Sequence, residues 1–194
     1  MQQDATTHYQ GGLALRDFVG AVPILAPSVQ LQGKGATMSI APTVHQALKM
    51  KEIDHEILRH PHAASSSRVA EAAHVAGDCI AKAVVLKDEQ GFVLAVLPAT
   101  HRILTEVLNS TLHRKLGLAT EEDLRRLFAD CERGAVPALG AEYGIPTVVE
   151  ASLRDQSDIY LEAGDHEELV HVTEKSFERL MDGAQFLRFS RHYS

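Results

Sequence analysis

Three places in the sequence carry residue types that can do chemistry. Lys82 stands inside the apolar stretch Ala81–Thr100, AKAVVLKDEQGFVLAVLPAT. It either snorkels at a sheet edge, its stem among apolar neighbours, or is a cation held on a rigid element for an anionic or carbonyl-bearing ligand. The second place is Gly134-Ala135-Val136-Pro137-Ala138-Leu139-Gly140, two glycines bracketing a rigid proline. Such a turn is either a plain helix-to-strand connection or a stiff loop whose backbone N–H groups face a carbonyl or an anion. The third is Gly164-Asp165-His166, where His166 is either a solvated turn residue or a ligand-orienting or acid–base group.

These residues need elements to position them. Ala81–Leu86 and Phe92–Leu97 read as two β-strands joined by a polar connection ending in Gly91, a hairpin. Before it, Thr43 opens a helix with Val44, Ala47 and Leu48 at helical spacing, Asp54–Arg59 is a short strand, and the loop HPHAASSS ends in a serine cap for Val69–Val75. After it, Leu104–Leu116 carries a 3.6-residue apolar stripe stopped by Gly117. Thr120–Asp123 opens Leu124–Phe128 as a capping-box variant. Pro146–Glu150, Ile159–Ala163 and Glu168–Val172 read as strands, and Thr173 caps a last helix that turns Phe177, Leu180 and Met181 inward. Helices and strands are interleaved while the hairpins are antiparallel, so the expected fold class is α+β, one domain with a mixed sheet flanked by helices.

Composition narrows the function classes. The chain has 194 residues, a formal charge of −7, two cysteines and no tryptophan. An acidic balance argues against broad adhesion to DNA or RNA, though not against a local basic patch. Cys79 and Cys131 lie far apart, so free thiols in a reducing compartment are expected. Among the 11 histidines no HxxxH or HxH sits beside a carboxylate in a way that demands a metal, and no metal is expected. No apolar run reaches transmembrane length and no basic-then-apolar leader opens the chain, so a cytoplasmic location is expected. Residues 1–37, rich in Gly, Pro and Gln, read as a peripheral extension. Residues 38–183 form the compact domain and 184–194 a basic, frayed tail.

The order of AKAVVLKDEQGFVLAVLPA, ERGAVPALG about fifty residues later, and DIYLEAGDHEELVHV resembles the YbaK/prolyl-tRNA synthetase-associated domain family over roughly Ala41–Met181. These are aminoacyl-tRNA deacylases that edit in trans or as a domain inserted in a synthetase. The resemblance implies a barrel-like mixed sheet and hydrolysis of the ester between a wrong amino acid and the 3′ acceptor end of tRNA. It also implies a synthetase as a further partner, and no cofactor. Lys82 matches the family's essential lysine, and Gly134–Ala138 matches its GxxxP loop, whose backbone lines the aminoacyl pocket. By the same resemblance Gly140 stays with that loop, His166 falls where some members carry a substrate-contacting histidine, and His60–Ser67 forms another wall. The chain departs from the pattern at Ala138, with the proline one place earlier at Pro137. From this shift a broadened preference for small aminoacyl groups is expected. The alternative is a noncatalytic tRNA- or synthetase-binding module of the same fold.

Overall fold

A computed structural model describes residues 40–63 and 65–193. The expected extension, residues 1–37, lies outside the described residues. The order is α1 Pro42–Met50, β1 Glu56–Arg59, α2 Ser66–Ala73, β2 Ile80–Asp88, β3 Gly91–Pro98 and β4 His101–Ile103. There follow α3 Thr105–Leu112, β5 Gly117–Leu118, α4 Glu121–Leu127, β6 Thr147–Glu150, β7 Asp158–Glu162 and β8 Glu168–Thr173. The chain closes with α5 Glu174–Leu180, β9 Gln185–Leu187 and β10 Ser190–His192.

The hairpin is the centre of one mixed sheet, ordered β1-β8-β7-β2-β3-β6-β9 with β5 also pairing β2. β2 and β3 run antiparallel in full register from Ala81 opposite Pro98 to Asp88 opposite Gly91, so the connection is the two-residue turn Glu89-Gln90. Gly91 has φ +112°, a conformation that needs glycine. Arg114 locks this turn. Its guanidinium takes both oxygens of Asp88 and also donates to the Gly91 carbonyl at 2.8 Å.

Both faces of the hairpin are covered, which is why its strands read as continuous apolar runs rather than alternating ones. Leu94, Val96, Ala81 and Val85 pack with α1, α4 and α5 through Val44, Leu48, Leu124 and Phe177. On the opposite face Val93, Ala95, Leu97 and Leu86 meet Leu108 of α3 and Phe189. α2 covers the end of that face through Val69, against Ile80 and Leu169. The class is therefore α+β, five helices on a large mixed sheet among the described residues.

Two elements differ from the expectation. The helix at 104–116 ends at Leu112, because His113 turns into the left-handed region and the Asn109 side chain exchanges hydrogen bonds with both Leu116 N–H and C=O. The freed Gly117–Leu118 then pairs with β2. The C-terminal residues are not frayed: β9 adds a parallel edge strand to β6, and β10 pairs with β4. The Glu150 carboxylate, 3% exposed, supplies the reason, accepting from Phe189 N–H, Ser190 N–H and Ser190 Oγ at 2.7–2.9 Å. A buried carboxylate with three donors satisfies its charge.

Candidate functional site

β2 pairs with β7 only at Ile80 and Ala81, and with β5 only from Leu86 onward. Between them the edge of β2 is released, and a cleft of about 90 Å³ opens there. Lys82 and Ala83 form its floor, and Gly134, Val136, Glu162 and His166 face them. Ala63, Ser65 and Ser66 close one side with the first turn of α2. Sequence positions separated by more than eighty residues thus meet at one place.

The two loops hold each other. Gly134 has φ +89° and needs glycine. A Cβ there would stand 3.6 Å from His166 Nε2, so the Nε2–Cε1 edge of the imidazole meets this backbone. Nε2 donates to the Arg133 carbonyl at 2.9 Å, which leaves Nδ1 of a neutral ring as its acceptor. His166 itself sits at φ +63°, and its N–H and that of Gly164 both donate to Glu162 Oε1, at 3.1 and 3.2 Å. Glu132 N–H reaches the Gly164 carbonyl at 2.7 Å, and Ala63 N–H reaches the His166 carbonyl at 3.1 Å. The wall at 63–66, the glycine loop and the histidine turn are one hydrogen-bonded assembly.

The loop does not present its amides as the sequence suggests. Ala135 N–H donates to Glu132 O and Val136 N–H to Gly134 O, both at 3.0 Å, because the left-handed glycine folds the chain back on itself. Gly134 N–H has no partner among the described residues. Ala135, Pro137, Ala138 and Gly140 are buried, and none of the four lines the cleft. Ala138 packs with Leu139 in the main core. Gly140 is held by close approach: a Cβ would come 2.8 Å from the Ile145 carbonyl. Of the sequence-predicted residues, Lys82, Gly134, Val136 and His166 therefore come together.

Lys82 carries its ammonium to the turn that follows β3. Its ammonium donates to the carbonyl of Ala99 at 3.2 Å and to that of His101, and lies 3.3 Å from Tyr193 Oη. The Tyr193 ring centroid is 5.1 Å from Nζ, a cation–π distance. The lysine is thus anchored on the β3–β4 turn, its direction fixed by two carbonyls, and it is one of the residues that line the cleft.

Glu162, Ser65 and Ser66 are cleft residues that sequence reasoning missed as site residues. The two serines lie in the HPHAASSS loop, which was expected to form a wall, and Ser65 caps α2 by accepting from Arg68 N–H at 3.5 Å. Glu162 gave no sequence signal, because its partners are backbone groups of its own turn. Cys131 stands close by, its Sγ 3.1 Å from where a Gly164 Cβ would lie. Burial pushes its thiol up to about 12.

Comparison with known proteins assigns this fold to a family. The model of the aminoacyl-tRNA editing domain family matches residues 60–180. The chain belongs to the aminoacyl-tRNA editing domain family. Among solved structures it is similar to a candidate trans-editing enzyme for prolyl tRNA synthetase, with a TM-score of 0.70 at 22% identity over 81% of this chain and 99% of that one. It is also similar to the hypothetical protein APE2540, with a TM-score of 0.68 at 18% identity over 77% and 99%. A candidate signal transduction protein from Marinobacter aquaeolei VT8 aligns at 0.63 and 23% identity, over 76% of this chain but 30% of its own. At such identities these likenesses establish the fold. No curated protein matches the chain.

Proposed function

We propose that this chain is an aminoacyl-tRNA deacylase, which hydrolyses the ester joining a wrongly attached small amino acid to the 3′ end of a tRNA. The observation that carries the reading is the cleft uniting Lys82, Gly134, Val136 and His166 within about 90 Å³. A dry cavity of roughly 150 Å³ accepts benzene, so this space suits an aminoacyl side chain of a few heavy atoms. The family and the similar trans-editing structure support a deacylase role.

An aminoacyl ester is already activated, so the site has three tasks. It must place a water molecule, stabilise the oxyanion and exclude the correct residue by size. Water attacks the carbonyl carbon, negative charge gathers on the carbonyl oxygen, and the ribose oxygen departs with a proton. The unpartnered N–H of Gly134 is the backbone donor for that oxyanion, and one such donor is worth roughly 3–4 kcal/mol in measured cases. His166, with Nε2 engaged on Arg133, offers Nδ1 as a neutral acceptor for the attacking water. Lys82 faces the terminal nucleotide and its developing charge. Val136 sets the depth of the side-chain space. A single methylene is discriminated by only about 1–3 kcal/mol in such pockets, which is why synthetases need a hydrolytic partner. The reaction as written uses water and these residues and calls on no cofactor. Its partners are aminoacyl-tRNA and, in the cytoplasm, the synthetase that mischarges it.

One observation favours a second reading, a noncatalytic tRNA- or synthetase-binding module: the Lys82 ammonium is already engaged by two carbonyls. Release of amino acid from tRNAs mischarged with Ala, Ser, Thr or Cys separates the two. A deacylase accelerates at least one of the four well above spontaneous hydrolysis. Background rates on all four, with tRNA still bound, would establish the binding module instead.

A further inference from the structure

β4 and β10 form a separate two-stranded ribbon with Arg102 directly opposite Arg191 and His101 directly opposite His192. Like charges facing across a strand pair are destabilising, and neither arginine has an ion-pair partner among the described residues, where both are exposed. In a chain of net charge −7 this is a local concentration of unneutralised cation. Tyr193 N–H donates to the Thr100 carbonyl at 2.9 Å, so the ladder continues one step beyond β10. By strand alternation Tyr193 shares the face of Arg191 and Arg102. Tyr193 is 52% exposed, and its ring stands beside the ammonium of Lys82, a residue that lines the cleft. Two carboxylates touch the ribbon, and both are engaged: Glu150 is buried and accepts from Ser190, and Asp78 accepts from Thr100 Oγ1 and lies 4.0 Å from His192. None of the residues at 188–193 falls within the segment that the family model matches.

We infer that the β4–β10 ribbon is a docking surface for the unpaired 3′ strand of an RNA, with Arg102 and Arg191 on successive phosphates and the Tyr193 ring as a stacking face for a base. This rests on the reading of the chain as a tRNA-ester hydrolase and adds the surface that delivers the substrate. Guanidinium groups pair bidentately with phosphate. An exposed aromatic ring next to a cation fits a strand whose bases are free to stack. The two-arginine juxtaposition is then relieved by the ligand rather than by the protein.

The test is fluorescence anisotropy with the full chain and bulk uncharged tRNA, intact or trimmed of its 3′-terminal nucleotides, over a series of salt concentrations. The Arg102→Gln/Arg191→Gln double variant should bind intact tRNA more weakly and flatten the log K against log salt slope by about 1.4, two single-strand phosphate contacts. The matching Lys/Lys variant should keep that slope. Tyr193→Ala should weaken binding of intact tRNA about tenfold and of trimmed tRNA hardly at all, while Tyr193→Phe keeps wild-type binding. Thermal midpoints near the wild-type value show that the variants are folded. An unchanged salt slope in the folded Gln/Gln protein overturns the inference. So does a Tyr193→Ala loss equal for intact and trimmed tRNA, or heparin binding that competes fully and is equally sensitive to Tyr193. Because uncharged tRNA is the probe, absence of ester hydrolysis would sink the proposed activity and leave the ribbon standing.

Discussion

The imidazole of His166 rests on the backbone of Gly134, where the position of a Cβ would be 3.6 Å from Nε2 and 3.7 Å from Cε1. The distance is ordinary van der Waals contact, so bulk alone does not demand glycine. The φ of +89° does. Gly134→Ala should cost about 1–2 kcal/mol for the left-handed conformation, which lowers the melting midpoint by roughly 2–8 °C in a domain of this size. The same change tilts His166 and the Gly134 N–H together. Deacylation should therefore fall by more than the stability loss explains when both are measured below the transition. A variant with full activity and an unchanged midpoint would show that the loop geometry is not needed.

Lys82→Ala should abolish deacylation while the protein remains folded by circular dichroism. The change frees the carbonyls of Ala99 and His101, so a stability loss of about 1–3 kcal/mol accompanies it. Near wild-type turnover in the folded variant would remove the lysine from the reaction. Failure to fold would make its anchoring of the β3–β4 turn the dominant role.

Val136 lines the cleft whereas Ala138 lies in the core at 0% exposed. Specificity is therefore expected to respond to Val136. Val136→Ala should raise kcat/KM for the larger of the four esters relative to Ala-tRNA, by about tenfold or more per methylene equivalent gained. Equal ratios in wild type and variant would assign the size limit to another wall.

Asp88 is held down to about 2, first by its hydrogen bonds from Arg114, against an ordinary carboxylate near 3.9. A depressed folded-state value means the contribution is complete above pH 4 and is lost as pH falls toward 2. Urea denaturation between pH 5 and pH 2 should show a steeper loss for wild type than for Asp88→Asn, with the variant less stable at neutral pH. Parallel curves would mean that the Arg114 pair adds nothing to folding.

Much of the fold was readable because its signals are local. The hairpin around Lys82, the Thr120 and Thr173 caps and the inward set Phe177, Leu180 and Met181 all rest on spacing within one element. What escaped depends on distant partners. Gln185–Leu187 and Ser190–His192 are too short to show periodicity, and they become strands because β6, β4 and Glu150 receive them. Within the site, the glycines announced a special loop at 134–140. The face each residue presents was not legible there, since a loop has no fixed alternation. Val136 thus reached the cleft while its neighbours Ala135 and Pro137 turned into the protein.

The three donors gathered on Glu150 have a consequence for the time course of amide exchange. Amides beside three-residue strands ordinarily trade their hydrogen for deuterium within moments of dilution, through local opening that costs almost nothing. Here Phe189 and Ser190 donate their N–H groups to a carboxylate that opens to water only if the β6 edge comes apart. Their uptake should run at the slow pace of the hairpin amides. Glu150→Ala, which removes the acceptor oxygen, should release these two positions into the fast class while β2 and β3 stay protected.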